Sequence, residues 1–231
     1  MDGSADSGRG YDEVYAAWRR DPEGYWAEAA RGIDWSTAPD RAFEPMLGAY
    51  GRWFHGAWLN TCHNALDRHV AAGRGEQPAL IHDSPMTGRV ETLTYAEMLE
   101  RTARLAGALA ALGVGIGDRV VIYMPMVPEA VEAMLACARI GAIHSVVFGG
   151  FAAAELATRI DDCQPKAILA ASCGIEPGRI VHYKPLLDGA IDLSRHKPEF
   201  CVILQREQEI ARLVEGRDIP WHSFQYGAEP A

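Results

Sequence analysis

Apolar positions fall into two regimes along the chain, and the pattern changes near residue 75. In the first regime Tyr11, Val14, Tyr15 and Trp18 recur at helical spacing, and Asp21-Pro22-Glu23 then supplies an N-cap, a proline at the first helical position and an early carboxylate. Two short amphipathic helices are predicted there. Trp53-Phe54-His55-Gly56 and Leu59-Asn60 lead into Asn64 to Val70, read as a further helix ending at Gly73. Few residues of this region are patterned as strands, so it is expected to form an aromatic strap that cannot enclose a core of its own.

From Pro78 onward strands and helices alternate. Ala79 to His82 and Val90 to Leu93 flank a run of turn formers and predict a hairpin. Thr94-Tyr95-Ala96-Glu97 is a capping box, followed by an apolar stripe at Met98, Leu105, Leu109 and Leu112 that stops at Gly113. Arg119 to Met124 reads as a strand, Pro128 to Ile140 as a helix, and Ala142 to Phe148 as a strand buried on both faces. Helix at Ala152 to Cys163, strand at Lys166 to Ala171, helix at Pro185 to Leu193 and strand at Phe200 to Leu204 complete the series. The class is therefore α/β, a mainly parallel sheet with helices on both faces and right-handed crossovers. No internal repeat or low-complexity tract is present.

Composition narrows the function classes. With 48% hydrophobic and 23% charged residues the chain is that of a folded globular protein. Twenty-two Lys and Arg against 31 Asp and Glu give a net charge of -9, which argues against nucleic acid as the main partner. Cys62, Cys137, Cys163, Cys173 and Cys201 contain no C-x-x-C pair and read as reduced, mostly buried thiols. Residues 1–10 are polar and acidic without an apolar core, so a disordered tail and a cytoplasmic location are expected. The most apolar stretch, Ala133 to Ala154, is interrupted by Arg139, His144 and paired glycines, and no membrane span is expected.

Candidate chemistry is sparse. Gly113-Val114-Gly115-Ile116-Gly117 follows a helix and precedes a strand, the reverse of a dinucleotide fingerprint, and reads as a helix cap and turn. No P-loop, G-x-S-x-G or H-E-x-x-H motif occurs. His144 is read as a hydrogen-bonded core histidine, and His55, His63 and His69 lack the spacing of a metal site. Two segments stand at predicted strand ends, where parallel sheets bind ligands. In Phe148-Gly149-Gly150-Phe151 the glycines would let backbone approach a ligand and present amide donors; a glycine turn shaped by packing fits equally. Gly174 to Lys184 carries a Pro-Gly turn with Arg179 and Lys184, cations for a phosphate or members of a solvated surface loop.

Taken together, Trp53-Phe54, Leu59-Asn60, Asn64-Ala65-Leu66-Asp67-Arg68-His69, Arg119-Val120-Val121-Ile122-Tyr123-Met124-Pro125-Met126 and Arg139 to Phe151 resemble the AMP-forming acetyl- and propionyl-CoA synthetases, with blocks in family order from about residue 11 to 204. Gly174-Ile175-Glu176-Pro177-Gly178-Arg179 is similar to the propionyl-CoA synthetase version; acetyl enzymes usually carry a further basic residue where this chain has Glu176. The resemblance implies an incomplete N-terminal domain of the adenylate-forming (ANL) fold. Residues 1–10 would be a tail, 11–75 the family's N-terminal extension, and 76–231 the first part of the AMP-binding domain, ending before the phosphate loop.

The implied full-length reaction joins a short carboxylic acid to coenzyme A. The carboxylate attacks MgATP to give acyl-adenylate and pyrophosphate, and the thiol then displaces AMP. Phe148, Gly149 and Gly150 match the family's CoA-lining segment, and Glu176, Pro177, Gly178 and Arg179 match the loop that contacts the CoA nucleotide. Arg179 is the expected cation for the 3′-phosphate. The resemblance assigns no catalytic or metal-binding residue to this chain, which is expected to be inactive alone. Propionate is the expected acid, acetate the alternative, and a noncatalytic CoA-binding module the rival class. An unpaired sheet edge with an apolar face is expected, with the rest of the enzyme as a partner that would cover it.

Overall fold

The computed structural model describes residues 10–147 and 149–231, and the chain divides into two compact units between Asn64 and Ala65. In the first unit, α1 (Tyr11–Arg20) and α2 (Pro22–Ala29) meet at Asp21, whose side chain accepts the Gly24 N–H at 2.9 Å. A short antiparallel pair, β1 (Phe43–Glu44) and β2 (Arg52–Trp53), was not foreseen. Among the described residues of this unit only Ala42 and Cys62 are buried. Aromatic rings hold it instead: Tyr11 stacks on Tyr15 at 5.8 Å, Tyr15 on Trp18 at 5.5 Å, and Phe43 lies 4.7 Å from its cross-strand partner Trp53.

A wide helical turn, His63–Asp67, leads into the second unit, and another, Val70–Arg74, is broken where Gly73 takes φ 77°. The predicted hairpin forms as β3 (Pro78–Ser84) and β4 (Arg89–Thr94). Thr94 and Glu97 close the capping box of α3 (Tyr95–Ala111), and their hydrogen bonds hold the Glu97 carboxyl below its ordinary value. Then follow β5 (Arg119–Tyr123), α4 (Pro128–Arg139), β6 (Ile143–Val146), α5 (Ala153–Cys163), β7 (Ala167–Ala171), a hairpin of β8 (Cys173–Glu176) and β9 (Arg179–His182), α6 (Tyr183–Leu193), β10 (Phe200–Leu204), β11 (Asp218–Pro220) and α7 (Trp221–Tyr226).

Five strands form one parallel sheet in the order β11-β10-β7-β5-β6. The connection from β5 steps outward to β6, and the next returns across β5 to β7. With the right-handed crossovers that such parallel connections take as a rule, this reversal puts α4 on one face and α5 on the other. Helix α6 continues in the second direction and packs on α5, while α3 packs on α4 and α7. The core is the central layer: Val120 to Tyr123, Ala167 to Ala171 and Phe200 to Leu204 are buried throughout.

Three expectations needed correction. The run around residue 143 is not a buried strand but the edge of the sheet: Ile143 is 56% and Val146 55% exposed, and His144 is exposed rather than a core histidine. A short β-branched run looks the same in the middle of a sheet and at its rim, and only the pairing order separates them. Residues 173–182 are an antiparallel hairpin rather than a loop. Strand β11 and helix α7 were overlooked because three- and six-residue elements carry too little periodicity to register.

Two polar clusters join these elements. Lys184, 2% exposed, places Nζ 2.6 Å from Asp188 and 2.9 Å from the fully buried Asp218, which also meets Arg217 at 2.7 Å. Burial opposes ionisation of Asp218, but hydrogen bonds from Arg217, the Val214 N–H and Lys184 hold its carboxyl below the usual range. The second cluster ties α7 to α3 and α4: Gln225 Nε2 donates to the Arg101 carbonyl at 3.0 Å and to the Glu132 carboxylate at 2.9 Å.

Candidate functional site

Chain reversal singles out one end of the sheet. After β5 the chain leaves toward β6, and after its neighbour β7 it leaves toward β10, so the carboxyl ends of these two strands flank a topological switch point. Four features converge there: Tyr123 ending β5, Gly149-Gly150 after β6, the β8–β9 hairpin after β7, and Tyr183 opening α6.

The tyrosines form the base of the arrangement. Their rings lie 5.0 Å apart at 31°, and the Tyr123 hydroxyl donates to the Phe151 carbonyl at 3.1 Å. Burial pushes the Tyr123 phenol up to about 12, against a hydrogen bond from the Gly150 backbone that works the other way. Burial, then the nearby Glu176 charge, also raises Tyr183. Both are neutral phenols at physiological pH.

Tyr183 also explains two glycines. A Cβ at Gly149 would lie 2.1 Å from its hydroxyl, and one at Gly174 2.5 Å, so the phenol occupies space that only two glycines leave open. The packing explanation therefore accounts for Gly149. Gly150 differs: it takes φ 91°, and a Cβ there would meet only Glu176 Oε1 at 3.8 Å and Val181 at 3.9 Å. In the hairpin, Gly178 takes φ 75° at the Pro177-Gly178 turn, and Glu176 pairs with Arg179 across it. Arg179 donates through Nε to Glu176 Oε2 at 2.7 Å, with Nη2 2.5 Å from the same oxygen, and both side chains stay largely exposed.

Gly149, Gly150, Glu176 and Val181 thus share one edge with the Pro177-Gly178 turn and Arg179, while Phe148 lies outside the described residues. The two segments do not follow adjacent strands of the sheet: β6 and β7 stand on either side of β5, and Tyr123 bridges them. Tyr123 and Tyr183 were given no role from sequence. A tyrosine closing the β-branched run Val120-Val121-Ile122, and another at the exit of a Pro-Gly hairpin, were the signals available.

Elsewhere, no group of three or more potential metal-ligating side chains occurs among the described residues, and no helix among them is long and apolar enough to cross a membrane. All five cysteines are free, and burial pushes Cys137 and Cys201 up to about 12, far from the reactive thiolate range.

Comparison with known proteins bears on the family and the fold. Residues 67–219 match the family model described as AMP-binding enzyme, and residues 11–65 match that of the acetyl-coenzyme A synthetase N-terminus. The human mitochondrial acyl-CoA synthetase short-chain family member 3 is 48% identical over 219 residues, covering 94% of this chain and 32% of the relative. A propionate–CoA ligase of Salmonella typhimurium and an acetyl-coenzyme A synthetase of Streptomyces avermitilis are each 43% identical over 212 residues; they cover 90% and 92% of this chain, and it covers 33% and 32% of them. Among solved structures, an acetoacetyl-CoA synthetase from Streptomyces lividans superposes with a TM-score of 0.83 at 24% identity, over 99% of this chain and 35% of that one, and shares the fold. The chain therefore spans about a third of the length of its relatives. With a family model matched across most of the sheet unit, and the sheet itself shared with a solved synthetase, the chain belongs to the AMP-binding enzyme family.

Proposed function

We propose that this chain is the N-terminal portion of an AMP-forming short-chain acid–CoA ligase, and that it carries part of the coenzyme A surface. In this reading residues 11–75 are the synthetase N-terminal extension and 76–231 the first part of the nucleotide-binding domain. The observation that carries it is the approach of Gly150 to Glu176, which joins two loops 26 residues apart into one wall over a tyrosine base.

The chemistry of that wall suits the coenzyme. Gly150 leaves a side-chain-free strip along which the pantetheine arm can lie, the buried Tyr123 and Tyr183 rings support the loops from beneath, and the exposed Arg179 fork can reach a phosphate. MgATP and the carboxylic acid belong to the full-length reaction. Adenylation and thioester formation need charge stabilisation at the reacting phosphate, and in this reading none of the chain's described residues supplies it. Propionate is the proposed acid, supported by Glu176 in the hairpin; acetate is the rival, since relatives named for each acid are equally identical to this chain. A cytoplasmic location belongs to the same proposal.

Calorimetry tests the reading directly. Coenzyme A is expected to bind the chain, and Arg179→Ala to weaken it about fivefold, the scale of one exposed charge-assisted contact. The same preparation is expected to release no pyrophosphate with propionate, MgATP and CoA. Binding that ignores Arg179 would remove the hairpin from the site, and pyrophosphate release would show that the chain carries catalytic machinery of its own.

A further inference from the structure

The Glu176 carboxylate occupies the middle of the proposed wall. One oxygen, Oε2, takes both contacts from Arg179, and the other, Oε1, is the nearest polar atom to the open side of Gly150. Its charge is also felt at the Tyr183 phenol. The cation that would hold a phosphate is thus already neutralised, and the neutralising group spans the gap between the two loops.

We propose that Glu176 is a specificity-determining residue that masks Arg179 and yields it only to a phosphate monoester carrying more charge than a carboxylate. The inference rests on the coenzyme A reading above. An exposed ion pair of this kind is worth at most about 1 kcal/mol, so it opens readily. A dianionic phosphate has more charge and more acceptor oxygens than a carboxylate and wins the exchange for the guanidinium; a hydroxyl does not. Part of the free energy of phosphate binding is therefore spent on breaking the internal pair, and the chain discriminates less between coenzyme A and its 3′-dephospho form than an unmasked arginine would.

Titrating both ligands against the wild-type chain, Glu176→Gln, Arg179→Ala and the double variant isolates this effect. Glu176→Gln is expected to tighten coenzyme A by up to about fivefold and dephospho-coenzyme A less than about twofold, and the selective gain should vanish in the Arg179→Ala background. The dephospho ligand doubles as a check that each variant keeps its fold. Equal tightening of both ligands, or a gain that persists without Arg179, would overturn masking while leaving the coenzyme A site intact. If neither the wild-type chain nor any variant binds coenzyme A, the underlying reading fails and the inference with it.

Discussion

Trp53 and Trp221 show how differently the two units use the same side chain. Trp53 is 48% exposed and packs by ring contact, against Phe43 at 4.7 Å, Phe54 at 6.2 Å and Trp26 at 6.5 Å. Trp221 is 1% exposed in the core, with its indole N–H donated to Gln225 Oε1 at 3.2 Å. Residues 10–64 are held by pairwise stacking at the surface, each contact worth about 0.5–1.5 kcal/mol beyond area burial. The sheet unit is held by a closed apolar layer in which polar groups must be matched, so a single unmatched charge there is far more costly. Local tolerance in one unit and intolerance in the other is the consequence.

The largest test of this contrast is the buried ion cluster. Asp218→Ala leaves Lys184, 2% exposed, with Asp188 alone. A loss of about 3–5 kcal/mol is expected for removing one partner of a buried pair, read as a fall in the urea midpoint. A change below about 1 kcal/mol would mean that the cluster is solvated in solution and that the sheet unit tolerates what its packing says it cannot.

A smaller effect is expected at Glu132, whose carboxyl is pushed up to about 6 from an ordinary 4.5 by burial and then by the Glu129 charge, against hydrogen bonds from Gln225 and Arg101. The folded chain binds this proton more tightly than the unfolded chain, so stability falls as pH rises between about 4.5 and 6, by about 2 kcal/mol. Glu132→Gln should flatten that slope while keeping an acceptor for Gln225. Glu97, Asp161 and Asp218 are shifted the opposite way, so their contribution is lost only as pH falls through the carboxylate range below that window. Denaturation midpoints measured from pH 4.5 to 7 on both proteins check it, and parallel curves would remove Glu132 as the source.

The smallest effect is expected in the aromatic unit. Trp53→Ala deletes one face of the Phe43 pair and should cost about 1 kcal/mol, confined to residues 10–64. Hydrogen exchange would show faster exchange at the Phe43–Trp53 pairing with amides of β7 and β10 unchanged. Accelerated exchange in β7 would refute a local effect.

Elements with long or doubly marked signals were legible in the sequence. Helix α3 announced itself through Thr94, Glu97 and a stripe ending at Gly113, and β7 and β10 through runs of β-branched and small residues between turn formers. The site was half legible. Gly150 and Arg179 could be picked out because glycine pairs and Pro-Gly turns at strand ends carry a local meaning, whereas Glu176 entered only through the family resemblance. The ion pair that neutralises Arg179 followed from hairpin register, which a loop reading of residues 174–184 had removed from view. The Tyr183 phenol between Gly149 and Gly174 is a contact among residues far apart in the chain, and it has no signature in any window.

By itself the sequence determined the longer elements of the sheet unit, their order and the family resemblance, because periodicity, caps and turn chemistry act over a few residues. Tertiary structure decided which strand lies at the rim, which face each helix covers, and that β5 stands between the strands that lead into the two candidate loops. Strand order is set by the summed burial of the whole sheet and by crossover handedness. Those are properties of the assembled layers, and they left Ile143 and Val146 exposed where their own side chains alone would have placed them inside.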